Sequence, residues 1–207
     1  MTPERTGRAR VVVLAGPSGS GKSRLAERLH DRFGWPIVRL DDFYRDLDDV
    51  EEPPMPRQVG LGIVDWDNPD SWHASAAVAA LVDLVDTGST ATPVYDISQS
   101  RAVSTTTVSA QSDDLILAEG IFAAEIVASL REAGILHSAW CIHHRPFVTF
   151  VRRLARDLKE RRKPPMVLVR RGMALMRAEP EVIHRQVALG AEAARAKDVE
   201  AQLASRG

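Results

Sequence analysis

A short apolar run, Val11-Val12-Val13-Leu14-Ala15, leads directly into Gly16-Pro17-Ser18-Gly19-Ser20-Gly21-Lys22-Ser23. No other stretch of the chain restricts the fold as much. The run is short and β-branched-rich, as a buried parallel strand is. Beyond the glycines, Leu25, Leu29 and Phe33 recur at i, i+4 and i+8 with Ala26 beside them. That spacing is one face of a helix, and Gly34 stops it. In a strand–G-x-x-x-x-G-K-S–helix unit the glycines let successive N–H groups curl inward onto phosphate oxygens. Lys22 can then reach β/γ-phosphates, and the Ser23 hydroxyl can ligate Mg²⁺. The helix adds the positive end of its dipole. At average composition, a chance match in a chain of this length has a probability of about one per cent or less. The nucleotide-binding candidates are therefore Gly16, Ser18, Gly19, Ser20, Gly21, Lys22 and Ser23.

The alternation continues. Pro36-Ile37-Val38-Arg39-Leu40 reads as a second strand, ending in Asp41-Asp42-Phe43-Tyr44. Residues 46–60, crowded with Asp, Glu and Pro, read as an exposed loop. Residues 65–70 form a turn, and Ser71 is placed to cap a helix to about residue 86, with Val78, Leu81, Val82 and Val85 on one face. Pro93–Asp96 and 103–109 are two short β-segments around a polar turn. Leu115–Ala118 is another buried strand, closed by Glu119-Gly120. A helix carrying Ile121, Phe122, Ile126 and Leu130 runs on to Gly134. Ala139–Ile142 is a further strand, and a long helix covers about 146–162. The last forty residues are helical in composition, with no final strand evident. Strands alternating with helices specify an α/β fold on a parallel sheet. The expected organisation is a disordered lead-in over 1–9 and one domain over 10–207.

Formal net charge is −1, which gives no global attraction to nucleic acid or to an anionic membrane. No apolar run approaches the roughly 18 residues of a membrane span. The single cysteine, Cys141, excludes an internal disulfide framework and fits a reducing cytoplasm. A guanine-reading N-K-x-D motif is excluded, since Asn68 is the only Asn and is followed by Pro69. No L-S-G-G-Q-type signature occurs either, so a switch or mechanical NTPase is disfavoured.

Ligands of open α/β sheets bind at the carboxyl ends of the strands. The phosphate loop, Asp41 and Glu119 all sit just past a strand end, so they converge if those strands are neighbours. Phosphoryl transfer needs a cradle, Mg²⁺, a group for the attacking hydroxyl, and positive charge on the phosphoryl. Ser23, Asp41 and Glu119 offer the hard oxygen donors Mg²⁺ prefers. Positive charge is supplied by Arg152, Arg153, Arg156, Lys159, Arg161, Arg162 and Lys163. For most of the seven a solvated helix face suffices. For two or three the better reading is a lid (about 152–165) whose arginines close over phosphates with bidentate geometry. Tyr44, Trp66 and Tyr95, beside Asp67 and Asp96, divide between loop packing and a pocket that stacks a ring and bonds hydroxyls. His143 and His144 face opposite sides of a strand, which argues for a structural role over a metal pair.

Six segments, GPSGSGKS (16–23), LDDFYRDL (40–47), DWDNPDSW (65–72), PVYDISQSR (93–101), ILAEGIF (116–122) and RRLARDLKERRK (152–163), occur in the order found in the uridine kinase and phosphoribulokinase family of P-loop kinases, which the chain resembles. The resemblance implies a three-layer P-loop fold, a parallel sheet flanked by helices, with a small β-hairpin substrate element and a helical lid. It implies ATP- and Mg²⁺-dependent phosphorylation of a nucleoside 5′-hydroxyl, as of uridine or cytidine. Asp41 would be the general base and approach Mg²⁺ with Glu119 and Ser23. Asp67 would hold ribose hydroxyls, Tyr44 and Tyr95 would line the nucleoside pocket, and Arg101 would contact the substrate. Arg156 and Arg161 would be the lid arginines, acting with Lys22. The family usually has Phe soon after Y-D and then a His that reads the pyrimidine, where this chain has Ile97 and Gln99 or Ser100. The acceptor therefore stays open between a nucleoside and another small hydroxylated metabolite, and a catalytically lapsed ATP-binding protein stays as a third reading. No nucleic-acid or membrane partner is expected, and a homo-oligomer is allowed.

Overall fold

β1 (Arg10–Ala15) is the middle strand of a five-stranded parallel sheet. β5 (Leu115–Glu119) and β6 (Leu136–Ile142) pair with it on either side. β2 (Ile37–Arg39) lies outside β5, and β7 (Glu192–Ala194) outside β6. The computed structural model describes residues 7–49, 53–58, 60, 62–144 and 179–205. Every residue of β1 after Arg10 is buried, because both faces of the sheet are covered.

Alternation along β1 divides the core. Val12 and Leu14 face α1 (Lys22–Phe33) and a C-terminal helix, α5 (Ala196–Ala204), packing with Leu25, Leu29, Trp140, Val199 and Leu203. Val11, Val13 and Ala15 face the other layer, with Leu81 and Leu84 of α2 (Ala74–Thr87) and Val127 and Leu130 of α3 (Val127–Glu132). A further helix, α4 (179–188), packs Ile183 against this second layer. The outcome is the expected three-layer α/β arrangement.

β3 (Ser89–Asp96) and β4 (Arg101–Ser109) form a separate antiparallel hairpin. It is longer than the two segments expected from sequence, and β4 is largely exposed. Its place is set by bonds to the segment after β2. The Leu47 N–H donates to the Ser100 carbonyl (2.9 Å), and the Ala102 N–H donates to Asp46 Oδ1 (2.7 Å).

Three expectations need correction. A final strand exists: Glu192-Ala193-Ala194 has little β-propensity, but its pairing with Trp140-Cys141-Ile142 makes it one. Ser71 does not cap α2, which begins at Ala74 with His73 before it. Ser71 sits instead in a 3₁₀ turn, Pro69–Ser71, and its hydroxyl donates to the Asn68 carbonyl (2.6 Å). The segment after β5 is not one helix, since a 3₁₀ turn over Ala123–Ile126 precedes α3. The expected helix at 146–162 and the lid lie outside the described residues.

Candidate active site

The phosphate loop follows β1 and has the backbone its glycines permit. Gly16, Gly19 and Gly21 have φ of 139°, 83° and 98°. At Gly16 there is also no space: a Cβ would lie 2.3 Å from the Ile142 carbonyl oxygen and 3.0 Å from Ser20 Oγ. Lys22 opens α1 and is only 6% exposed. Ser20 Oγ is buried with no hydrogen-bond partner among the described residues. A buried unpaired hydroxyl costs about 1–3 kcal/mol unless a ligand completes it, and a phosphate oxygen is an acceptor of the right chemistry.

Sheet register gathers the rest. Leu14 and Arg39 are both paired with Glu119, one from each side. The ends of β1, β5 and β2 are therefore level, and the expected convergence of phosphate loop, Glu119 and Asp41 is observed. The Ser23 hydroxyl donates to Glu119 Oε2 (3.0 Å). Asp41 is the exposed residue of a 3₁₀ turn, Leu40–Phe43, whose ends are buried, and its Oδ1 accepts the Ile121 N–H (2.9 Å). Gly120 lets it come close, since a Cβ there would lie 2.8 Å from Asp41 Oδ1.

Glu119 is buried, and desolvation pushes its carboxyl above the ordinary glutamate range. The Asp41 charge pushes the same way, while Lys22, the Ser23 bond and Arg39 pull back. The same oxygens that make Glu119 uncomfortable as a lone anion make a site that a divalent cation would relieve. Ser23, Asp41 and Glu119 thus fit Mg²⁺ as a hard-oxygen donor set.

The aromatic residues cluster beside this edge. Tyr44 lies 5.8 Å from Tyr95, 5.7 Å from Trp66 and 5.9 Å from Phe122 between ring centroids. The Tyr44 hydroxyl donates to the Trp66 carbonyl (3.1 Å), and that of Tyr95 to the Arg45 carbonyl (3.0 Å). Burial raises both phenols, Tyr95 to about 12. Asp67 is exposed on the turn next to Trp66, close enough for its charge to act on Tyr44. Arg101 is exposed at the start of β4, opposite Asp96. Arg156 and Arg161 lie outside the described residues. An open groove of about 590 Å³ between α2 and the hairpin is lined by Asp42, Tyr44 and Asp46, but not by Asp41, Glu119 or the phosphate loop. It adjoins the site without being its phosphate end.

Asp96 serves its own turn. Its Oδ1 accepts from the Ser98 N–H (2.8 Å) and hydroxyl (2.6 Å), and its Oδ2 from Gln99 Nε2 (2.7 Å). These bonds hold its carboxyl below the ordinary aspartate range. Two residues escaped the sequence reading. Arg45, 4% exposed, bonds Asp49 Oδ2 (2.8 Å) and the Pro53 and Asp70 carbonyls (2.7 and 3.3 Å), tying the acidic loop down. Gln186, 6% exposed, bridges Cys141 and Ile121. Arg45 lies within the LDDFYRDL segment, which does not mark it as buried, and Gln186 lies in none of the six segments; both are known by their burial.

Curated relatives include uridine kinases of Lactobacillus helveticus (strain DPC 4571), 29% identical over 159 residues, and of Lactobacillus johnsonii, 25% identical over 155. Each alignment covers 73% of this chain and 69% of the relative. Among solved structures, a protein described as a candidate fructose transport system kinase from Silicibacter sp. TM1040 shares the fold. Its TM-score is 0.62 at 20% identity, covering 89% of this chain and 88% of that one. Among the described residues no helix is long and apolar enough to cross a membrane. The model of the Phosphoribulokinase / Uridine kinase family matches residues 11–187. That span takes in every segment that builds the site, and the chain belongs to this family of P-loop kinases, as a phosphotransferase whose acceptor is the alcohol group of a small molecule.

Proposed function

We propose that the chain transfers the γ-phosphoryl group of ATP to a hydroxyl of a small metabolite, first the 5′-hydroxyl of a nucleoside such as uridine or cytidine. The supporting observation is the level end of β1, β5 and β2, which brings Ser23, Glu119 and Asp41 beside the phosphate loop. Gly16, Ser18, Gly19, Ser20, Gly21, Lys22 and Ser23 hold the triphosphate. Ser23, Asp41 and Glu119 would hold Mg²⁺, which when bound would offset the negative charge of the triphosphate. Asp41 takes the acceptor's hydroxyl proton as the new O–P bond forms and the bond to the β-phosphate oxygen breaks, leaving ADP. Arg156 and Arg161, in the basic stretch 152–165, carry lid charge onto the transferring group. The chain from residue 10 onward works as one kinase domain.

On the acceptor side, Tyr44 and Tyr95 supply ring faces, while Asp67 and Arg101 supply polar contacts. One observation favours a second reading. Residues 96–100 close on themselves through Asp96, and Ile97 is 67% exposed, so this segment offers no aromatic or imidazole group to a base. A sugar or other polyol is then the acceptor. The test is ADP release at fixed MgATP with a panel of nucleosides, sugars and polyols. Stimulation by one of them, abolished by EDTA, is expected. A panel that never raises ADP above the acceptor-free rate overturns the reading.

A further inference from the structure

Ile121 lies between the end of β5 and the 3₁₀ turn at Ala123, outside any ladder that would fix its backbone. Both of its polar backbone groups are nevertheless engaged. Its N–H donates to Asp41 Oδ1 (2.9 Å), and its carbonyl accepts from Gln186 Nε2 (3.0 Å). These groups belong to adjacent peptide planes that meet at one Cα, so holding the carbonyl restricts where the N–H points. Gln186 is itself held. It is buried on α4, its Oε1 accepts from Cys141 Sγ (3.1 Å), and Arg185 beside it pairs with Glu125 (2.8 Å).

We propose that Gln186 is a positioning residue for phosphoryl transfer, fixing Asp41 through the Ile121 backbone. The inference rests on the reading of Asp41 as the group that receives the acceptor's proton. With Oδ1 restrained by Ile121, Oδ2 is the oxygen left for the acceptor hydroxyl. Loss of the restraint leaves the exposed Asp41 side chain free to rotate about χ1 on a turn whose ends, Leu40 and Phe43, stay buried. Misplacing a reacting group by about 1 Å costs up to about 100-fold in rate.

Two substitutions test this. Gln186→Met keeps the volume and removes both bonds. Gln186→Glu keeps the acceptor for Cys141 but turns an anionic oxygen toward the Ile121 carbonyl. Both are expected to lower kcat by about 10- to 100-fold at about pH 8, with ATP affinity by calorimetry within about twofold of wild type. As pH falls from about 8 to about 6, a buried glutamate gains its proton and becomes a donor. The rate of Gln186→Glu, divided by wild type at each pH, should then recover, and that of Gln186→Met should not. Wild-type kcat in either variant at the higher pH overturns the proposal. So does loss confined to Gln186→Met, which would assign the role to the Cys141 contact. A parallel fall in kcat, ATP affinity and melting temperature, without recovery at low pH, overturns it as well by marking a structural role. Asp41→Asn is measured alongside. If it keeps the full rate, the base reading fails and this proposal with it; if it loses the rate while the Gln186 variants do not, only this proposal fails.

Discussion

Ser23 and Glu119, 96 positions apart, are joined by a 3.0 Å hydrogen bond from hydroxyl to carboxylate. One comes from the first turn of α1 and the other is the last residue of β5. The bond is a local consequence of parallel register, in which Leu14 stands opposite Glu119. It keeps two oxygen donors together before a cation arrives.

Ser23→Ala removes one of those donors and leaves the phosphate loop otherwise intact. The expected result is a loss in kcat of about 100-fold, with a raised Mg²⁺ requirement. A Mg²⁺ titration of the steady-state rate checks both.

Glu119 carries a pH dependence. Its folded pKa is raised, mainly by burial, above an unfolded value near 4.5. The stability it contributes is therefore present below that value and lost as pH rises through the folded pKa. Glu119→Gln removes the titration. The difference in unfolding free energy, Glu119→Gln minus wild type, should grow as pH rises from 4.5 into the neutral range without added Mg²⁺. Urea denaturation at several pH values measures it, and a flat difference would contradict the assignment.

Asp41→Asn keeps the acceptor oxygen for the Ile121 N–H but cannot take a proton. Transfer should fall by at least about 100-fold, while ATP affinity by calorimetry stays close to wild type.

Gly16→Ala meets both obstacles at once, a φ of 139° and a carbonyl oxygen 2.3 Å from the new Cβ. Backbone strain of this kind costs about 1–3 kcal/mol. ATP affinity should drop at least about tenfold, since about 1.4 kcal/mol corresponds to tenfold.

Arg45→Ala strips a buried guanidinium from Asp49 and two carbonyls. A loss on the order of 3 kcal/mol in unfolding free energy is expected. Arg45→Lys should recover little, because one ammonium cannot serve partners spread around a planar fork. Chemical denaturation of both variants checks this.

Much of the donor half was legible because its signals are local. β1, the glycine turns, α1 and Gly34 each follow from residues within a few positions, and the Gly34 N–H closes on the His30 carbonyl (2.8 Å) as a C-cap should. Asp41 and Glu119 were legible as strand-end carboxylates, and the register that joins them needed only a parallel sheet. What escaped depends on distant partners. β7 has no strand signal of its own and exists because β6 offers an edge. Arg45 and Gln186 look like surface residues until the fold buries them against carbonyls that sequence spacing does not reveal. Asp96 stood in sequence between loop packing and a hydroxyl-binding pocket, and the bonds that decide its surroundings, an Asx-type turn with Ser98 and Gln99, carry no signal beyond ordinary polar residues.

The hairpin of β3 and β4 shares no ladder with the five-stranded sheet, and the segment from Asp42 to Leu47 holds its tip through a handful of bonds. Changes at 94–104 therefore reach the rest of the molecule mainly through that segment, which begins in the same turn as Asp41 and packs Tyr44 against Phe122. On the proposed reading of Tyr95 and Arg101, the acceptor side could therefore be exchanged at little cost to the sheet, but any exchange would be felt first at the turn that carries Asp41.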